Sequence, residues 1–144
     1  MKTIQNILKY QSLQHPYHSA IFGIEGKPSS YRKILQQAQY TQTALNARGI
    51  KRNDPVAIIL PNGPLMAVAF LSIASCAASA PLNPAFPAAE FEFYLEDLKP
   101  KAVIIESGST NVVKDVAYRL RIPVILLEPK EDNGSGLFSI AGYS

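Results

Sequence analysis

Asn53-Asp54-Pro55-Val56-Ala57-Ile58-Ile59-Leu60-Pro61-Asn62-Gly63-Pro64 is the stretch on which the fold turns. Residues 56–60 are apolar at every position, without the polar alternation of a sheet that has one wet face. They predict a strand covered on both sides, as in a parallel sheet flanked by helices. Asn53-Asp54-Pro55 reads as the turn before it. Asn62 is placed to cap a following helix, and Pro64 falls in a first turn, where its missing N–H costs nothing.

No charged residue occurs from Pro55 to Ala89, a run long enough on paper to cross a bilayer. Pro61, Asn62, Gly63 and Pro64 split it, and Pro81, Asn83 and Pro84 end it. Residues 65–80 are the only continuous helical candidate, shorter than the roughly 20 residues that a spanning helix needs. The spacing predicts a helix over 65–78, apolar almost all round and therefore buried, with Ala80-Pro81-Leu82-Asn83 as a short strand end.

Towards the C-terminus, Pro87 opens a helix whose core face is Phe91, Tyr94, Leu95 and Leu98, closed by Lys99 and Pro100. Residues 102–105 are a second buried strand. Ser109 or Asn111 caps a helix to about Leu120, and residues 124–127 form a further strand. Residues 128–144 show no periodicity and read as a loop or tail. Towards the N-terminus, residues 31–48 carry Tyr31, Ile34, Leu35, Ala38 and Leu45 at helical spacing, with Ser30 as cap and Gly49 past the end. Residues 19–25 read as a strand turned back by Gly26-Lys27-Pro28. Ile4, Ile7, Leu8 and Leu13 predict one face of a short helix closing before His15-Pro16. The order βαβαβαβ with right-handed crossovers predicts an α/β fold, a doubly wound, mostly parallel sheet with helices on both faces.

The chain has 144 residues, 47% hydrophobic and 17% charged, with a formal charge of +3. This is the composition of a globular domain with a sizeable core, not of a disordered chain. Cys76 is the single cysteine, so no internal disulfide forms. The N-terminal residues lack the apolar core and cleavage site of a signal peptide, and the expected location is cytoplasmic. The basic residues gather only at Arg48, Lys51 and Arg52, without the stripe and stacking aromatics that nucleic-acid binding needs.

Ligands of such folds sit at the carboxyl ends of the strands. Glu106-Ser107-Gly108-Ser109-Thr110 follows a strand and opens a helix, but one glycine without a following Gly-Lys-Ser/Thr is a weak phosphate signal. A small nucleotide binder using residues 107–110 is one alternative that this loop leaves open. Gly134-Ser135-Gly136 has neither a lysine after it nor a strand directly before it, and reads as a linker. His15 and His18 would need further ligands to hold a metal. Glu90, Glu92, Glu96 and Asp97 read as a solvated helix face, and Cys76 as a small buried hydrophobe. Residue by residue, the sequence shows a fold and assigns no catalytic, cofactor-binding or metal-binding residue.

The order of the motifs adds a resemblance. Ser30-Tyr31-Arg32-Lys33-Ile34 opens a long helix that Ala47-Arg48-Gly49-Ile50 closes. Residues 53–62, Ala69-Phe70-Leu71, Ala80-Pro81-Leu82-Asn83-Pro84 and Glu90-Phe91-Glu92-Phe93-Tyr94-Leu95-Glu96-Asp97 follow. Together these resemble the start of the acyl-adenylate-forming (AMP-binding) enzymes, closest in wording to the branch with the oxalate-CoA ligases. The resemblance implies residues 1–127 as an N-terminal α/β subdomain and 128–144 as a loop or tail. It implies a parent acyl-CoA synthetase that uses ATP, Mg²⁺ and coenzyme A to convert a carboxylate to an acyl adenylate and pass the acyl group to a thiol. The family's phosphate loop, ribose-binding aspartate and catalytic lysine match nothing here, so the 144-residue chain is expected to bind none of these cofactors and to be inactive alone. Its expected partner is the remainder of the parent ligase. The alternative is a standalone module, self-associating through an exposed apolar surface or a sheet edge. The resemblance departs at Ser75-Cys76-Ala77-Ala78-Ser79, where many relatives have an Ala-Gly-Ala step that ends the buried helix.

Overall fold

A computed structural model describes residues 4–15, 17, 19–21, 28–130 and 132–143. In chain order the elements are α1 (Ile4–Gln14), β1 (Ser19–Ile21), β2 (Ser29–Ser30), α2 (Tyr31–Ala47), β3 (Pro55–Ile58) and α3 (Pro64–Ala74). They continue with β4 (Ala78–Pro81), α4 (Ala88–Leu98), β5 (Ala102–Glu106), α5 (Val113–Arg119), β6 (Val124–Pro129) and β7 (Phe138–Ile140).

The turn before β3 forms because Asp54 Oδ2 accepts from the Lys51 N–H at 2.9 Å, a local bond that competes with continued helix. The main sheet has the order β4-β3-β5-β6-β7, its first four strands parallel and β7 antiparallel to β6. Alternate residues of each strand feed opposite faces. Val56, Ile58 and Leu60, with Ala102, Ile104, Ile125 and Leu127, join a core with α2 and α3. Ala57 and Ile59, with Val103 and Ile105, meet α4 and α5. The apolar run at 56–60 is thus read correctly as a strand buried on both sides. The α3 crossover steps from β3 to β4, and α4 returns over β3 to β5. Right-handed crossovers in opposite directions put their helices on opposite faces, which is the doubly wound, mostly parallel arrangement.

Helix α2 follows its expected limits: Ser30 is the N-cap, its Oγ accepting from the Lys33 N–H at 3.3 Å, and Gly49 lies past the end at φ +80°. Other expectations need correction. Helix α3 stops at Ala74, and residues 78–81 are strand β4 instead. No glycine is required for this stop. Ser75 Oγ donates to Ser72 O at 2.6 Å, and the Ala77 N–H to Ile73 O at 2.8 Å, so the last carbonyls find donors within one turn. The N-cap is Gly63, with no side-chain bond, rather than Asn62. Nor is α3 buried all round, since Ala67 and Phe70 are exposed on a helix beside β4, the edge strand of the sheet. On α1 only Leu8 is buried and Ile4 packs beside it, whereas Ile7 and Leu13 face outward. Tyr94, expected in the core, is 40% exposed. Residues 22–25 of the expected strand, and Gly26 and Lys27 of its turn, lie outside the described residues.

The largest correction concerns residues 128–144, expected as a loop or tail. β6 runs on to Pro129, β7 pairs with it, and Leu137, Phe138 and Ile140 are buried in the core with α2 and α3. A three-residue strand is too short to show a period in the sequence, and its partner is set by the tertiary fold. β7 also ends the sheet without an open edge. Its outward Phe138 N–H donates to Gln37 Oε1 and its Ile140 N–H to Tyr40 Oη, both at 3.0 Å, while the Tyr40 hydroxyl donates to Tyr143 O at 3.2 Å. Side chains of α2 thus take the hydrogen bonds that another strand would make. At the other edge, β4 points Ser79 and Pro81 outward, and Pro81 has no N–H to offer.

Candidate functional site

The strand order reverses between β3 and β5, so their carboxyl ends open the crevice where α/β folds hold ligands. A cleft of about 320 Å³ lies there, lined by Ile59, Pro61, Pro84 and residues 106–111. Beside it, a cleft of about 530 Å³ runs along Leu60, Asn62, Met66 and residues 81–85. Asn111 Nδ2 donates to Pro84 O at 2.8 Å and ties the two walls together.

The loop after β5 is the one candidate phosphate cradle, and four N–H groups of residues 107–113 already have protein acceptors. The Ser107 N–H donates to Leu127 O and the Ser109 N–H to Glu106 O. The Asn111 N–H donates to Ser109 Oγ at 3.2 Å and the Val113 N–H to Asn111 Oδ1 at 2.8 Å. Asn111 therefore closes the start of α5, with Gly108 at φ +84° turning the chain. Those four N–H groups face protein acceptors and are not free for an ATP phosphate. Among the described residues, no group of three or more His, Cys, Asp or Glu is placed to hold a metal.

The other sequence candidates are dispersed. His15 is exposed at the end of α1, and His18 lies outside the described residues. Glu90, Glu96 and Asp97 are exposed, as expected of a solvated face, and Glu92 pairs with Arg119 of α5 at 3.8 Å, a half-exposed bridge of little energetic weight. Arg48, Lys51 and Arg52 are exposed, and Arg48 Nη2 donates to Ala141 O at 3.3 Å.

Gly134-Ser135-Gly136 is a correction. Ser135 is fully buried, and its carbonyl accepts from Ser29 Oγ at 2.7 Å. The segment is a packed connection that pins β2 and the start of α3, not a linker. Only tertiary contact requires its glycines, so local sequence carries no signal of it.

Cys76 is buried, and its Sγ donates to Ser72 O at 3.6 Å. Burial pushes its thiol up to about 11, with Ser75 partly opposing. The thiolate is therefore scarce at pH 8, and labelling by a disulfide reagent should run about a hundredfold slower than in denaturant. The unfolded thiol releases its proton near pH 9.0, before the folded one. Stability should accordingly fall as pH rises from about 9 towards 11, and denaturant titrations across that range check it.

A family model described as "AMP-binding enzyme" matches residues 8–138. The chain belongs to the AMP-binding enzyme family. Among curated relatives, a probable CoA ligase of Humulus lupulus is 28% identical over 96% of this chain and 29% of its own length. The oxalate–CoA ligase of Saccharomyces cerevisiae is 47% identical over 42% of this chain and 11% of its own, and that of Arabidopsis thaliana 37% identical over 51% and 15%. Among solved structures, apo MatB of Rhodopseudomonas palustris superposes with a TM-score of 0.74 at 22% identity, over 99% of this chain and 30% of that one. The α/β fold is therefore that of adenylating enzymes, and the wording shared with oxalate–CoA ligases is confirmed. The chain spans under a third of the length of these relatives.

Proposed function

We propose that the chain is the N-terminal part of an ATP-dependent acid–thiol ligase, which adenylates a carboxylate and passes the acyl group to coenzyme A. The observation that carries this reading is the family match over residues 8–138 in a chain that spans 29% of a CoA ligase. The shared segments with two oxalate–CoA ligases favour a small polar acid over a long aliphatic one. ATP, Mg²⁺ and coenzyme A belong to the larger enzyme, and the same reading places it in the cytoplasm. The 144-residue chain alone is inactive in this reading, supported by the internal use of four N–H groups of residues 107–113. Ile7, Tyr10 and Leu13, exposed on the outer face of α1, fit a surface that the remainder of such a ligase covers. The sealed β7 edge weighs against a module assembled by strand pairing.

Adenylation makes a carboxylate electrophilic by giving it AMP as leaving group, and the developing charge needs positioned donors and a metal. ATP–pyrophosphate exchange by the pure 144-residue chain, with oxalate and a panel of other acids, should not rise above the blank. Exchange with any acid would overturn the inactivity. A product extended past Ser144 should form AMP in the presence of acid and coenzyme A; an extended product that forms none would overturn the ligase assignment.

A further inference from the structure

Helix α4 buries Phe91 and Leu95, yet it holds Phe93 66% exposed. On a helix surface the neighbours of residue 93 are three and four positions away: Ala89, Glu90, Glu96 and Asp97, all exposed. An aromatic ring thus stands among three carboxylates; α4 itself contains no basic residue, while Lys99 follows as its C-cap and Arg119 of α5 pairs with Glu92. The ring also has an aromatic neighbour. Buried Phe91 meets Phe86 edge to face at 5.7 Å, Phe86 stacks on Tyr94 at 5.2 Å and 11°, and Tyr94 meets Phe93 at 5.4 Å. This row of rings leads from the core to the surface and ends at Phe93.

A ring flanked by carboxylates is complementary to guanidinium and ammonium groups, which are drawn to its face and to the acids together. The same chain carries such groups: Arg48, Lys51 and Arg52 are exposed at the far end of α2, with Arg48 steadied on Ala141 O. Helix α2 packs on the opposite face of the sheet from α4, so the two patches of one molecule cannot meet each other. They can meet on different molecules. We infer that the Phe93 face of α4 is a docking surface for a second copy of this chain, entered by the copy's Arg48, Lys51 and Arg52. The contact joins two different patches, so it is heterologous and continues beyond two copies. This inference is independent of the ligase reading.

Equilibrium sedimentation of the 144-residue chain tests it. At low ionic strength the apparent mass should rise with concentration to about twice the monomer value or more, and near 1 M salt, where screening shortens to about 3 Å, it should return to the monomer. Phe93→Ser and the double change Lys51→Glu with Arg52→Glu should each be monomeric with unchanged circular dichroism. Mixed, they should form a complex that stops at two, because each supplies the patch that the other lacks. Glu90→Gln, Glu96→Gln and Asp97→Asn together remove the charge while keeping the ring, and should also be monomeric. A wild-type chain monomeric at low salt, or a mixture that stays monomeric, overturns the inference.

Discussion

Gly136→Ala is expected to destabilise the chain by about 3 kcal/mol, a left-handed strain of about 1 kcal/mol plus an overpacking cost of about 2 kcal/mol. Gly136 has φ +81°, and a Cβ there would lie 2.5 Å from both Pro64 O and Val68 Cγ2. Neither neighbour can yield cheaply. Pro64 opens α3, and Val68 is fully buried in the core beneath it. Gly49→Ala separates the two costs, because Gly49 has φ +80° but nothing within 4 Å of its added Cβ. That change should cost only about 1 kcal/mol. Urea titrations of both variants, at equal m-value, measure the difference. Equal destabilisation would show that the 134–136 connection does not press on α3.

Phe91→Ala should cost about 3–5 kcal/mol, whereas Phe93→Ala, two residues along, should fall within about 0.5 kcal/mol of wild type. Phe91 is fully buried with Leu95, Val103, Ile105 and Val116. Its removal leaves a cavity beside β5 and α5, which cannot collapse without moving the sheet. It also removes the first ring of the row that leads to Tyr94 and Phe93. Thermal unfolding followed by circular dichroism checks both variants. A marginal loss for Phe91→Ala would mean that α4 is not anchored there.

What the sequence by itself determined is the alternation of elements and their class. Residues 56–60 and 102–105, apolar at every position, have no solvated side, and that already requires helices on both faces of a parallel sheet. Ser30, Gly49 and Asn111 mark helix ends because their bonds or dihedral angles are local. The family was legible too, since the order of the motifs from Ser30 to Asp97 is a property of the chain itself. For the candidate site, the weakness of the 106–110 signal was legible in its single glycine. That four of its N–H groups are spent on Leu127, Glu106, Ser109 and Asn111 depends in part on a neighbouring strand.

Tertiary structure alone decided what residues 128–143 do. A strand of three residues has no period, a glycine needed for close approach looks like a glycine in a linker, and Gln37 and Tyr40 look like solvated helix residues until β7 lies beside them. It also decided that Tyr94, Ile7 and Leu13 face outward, because helical spacing groups residues on a face but does not say how wide a face the neighbouring element covers. Periodicity is a property of one segment, whereas covering an edge or a face takes two, and the chain between them carries no mark of the meeting.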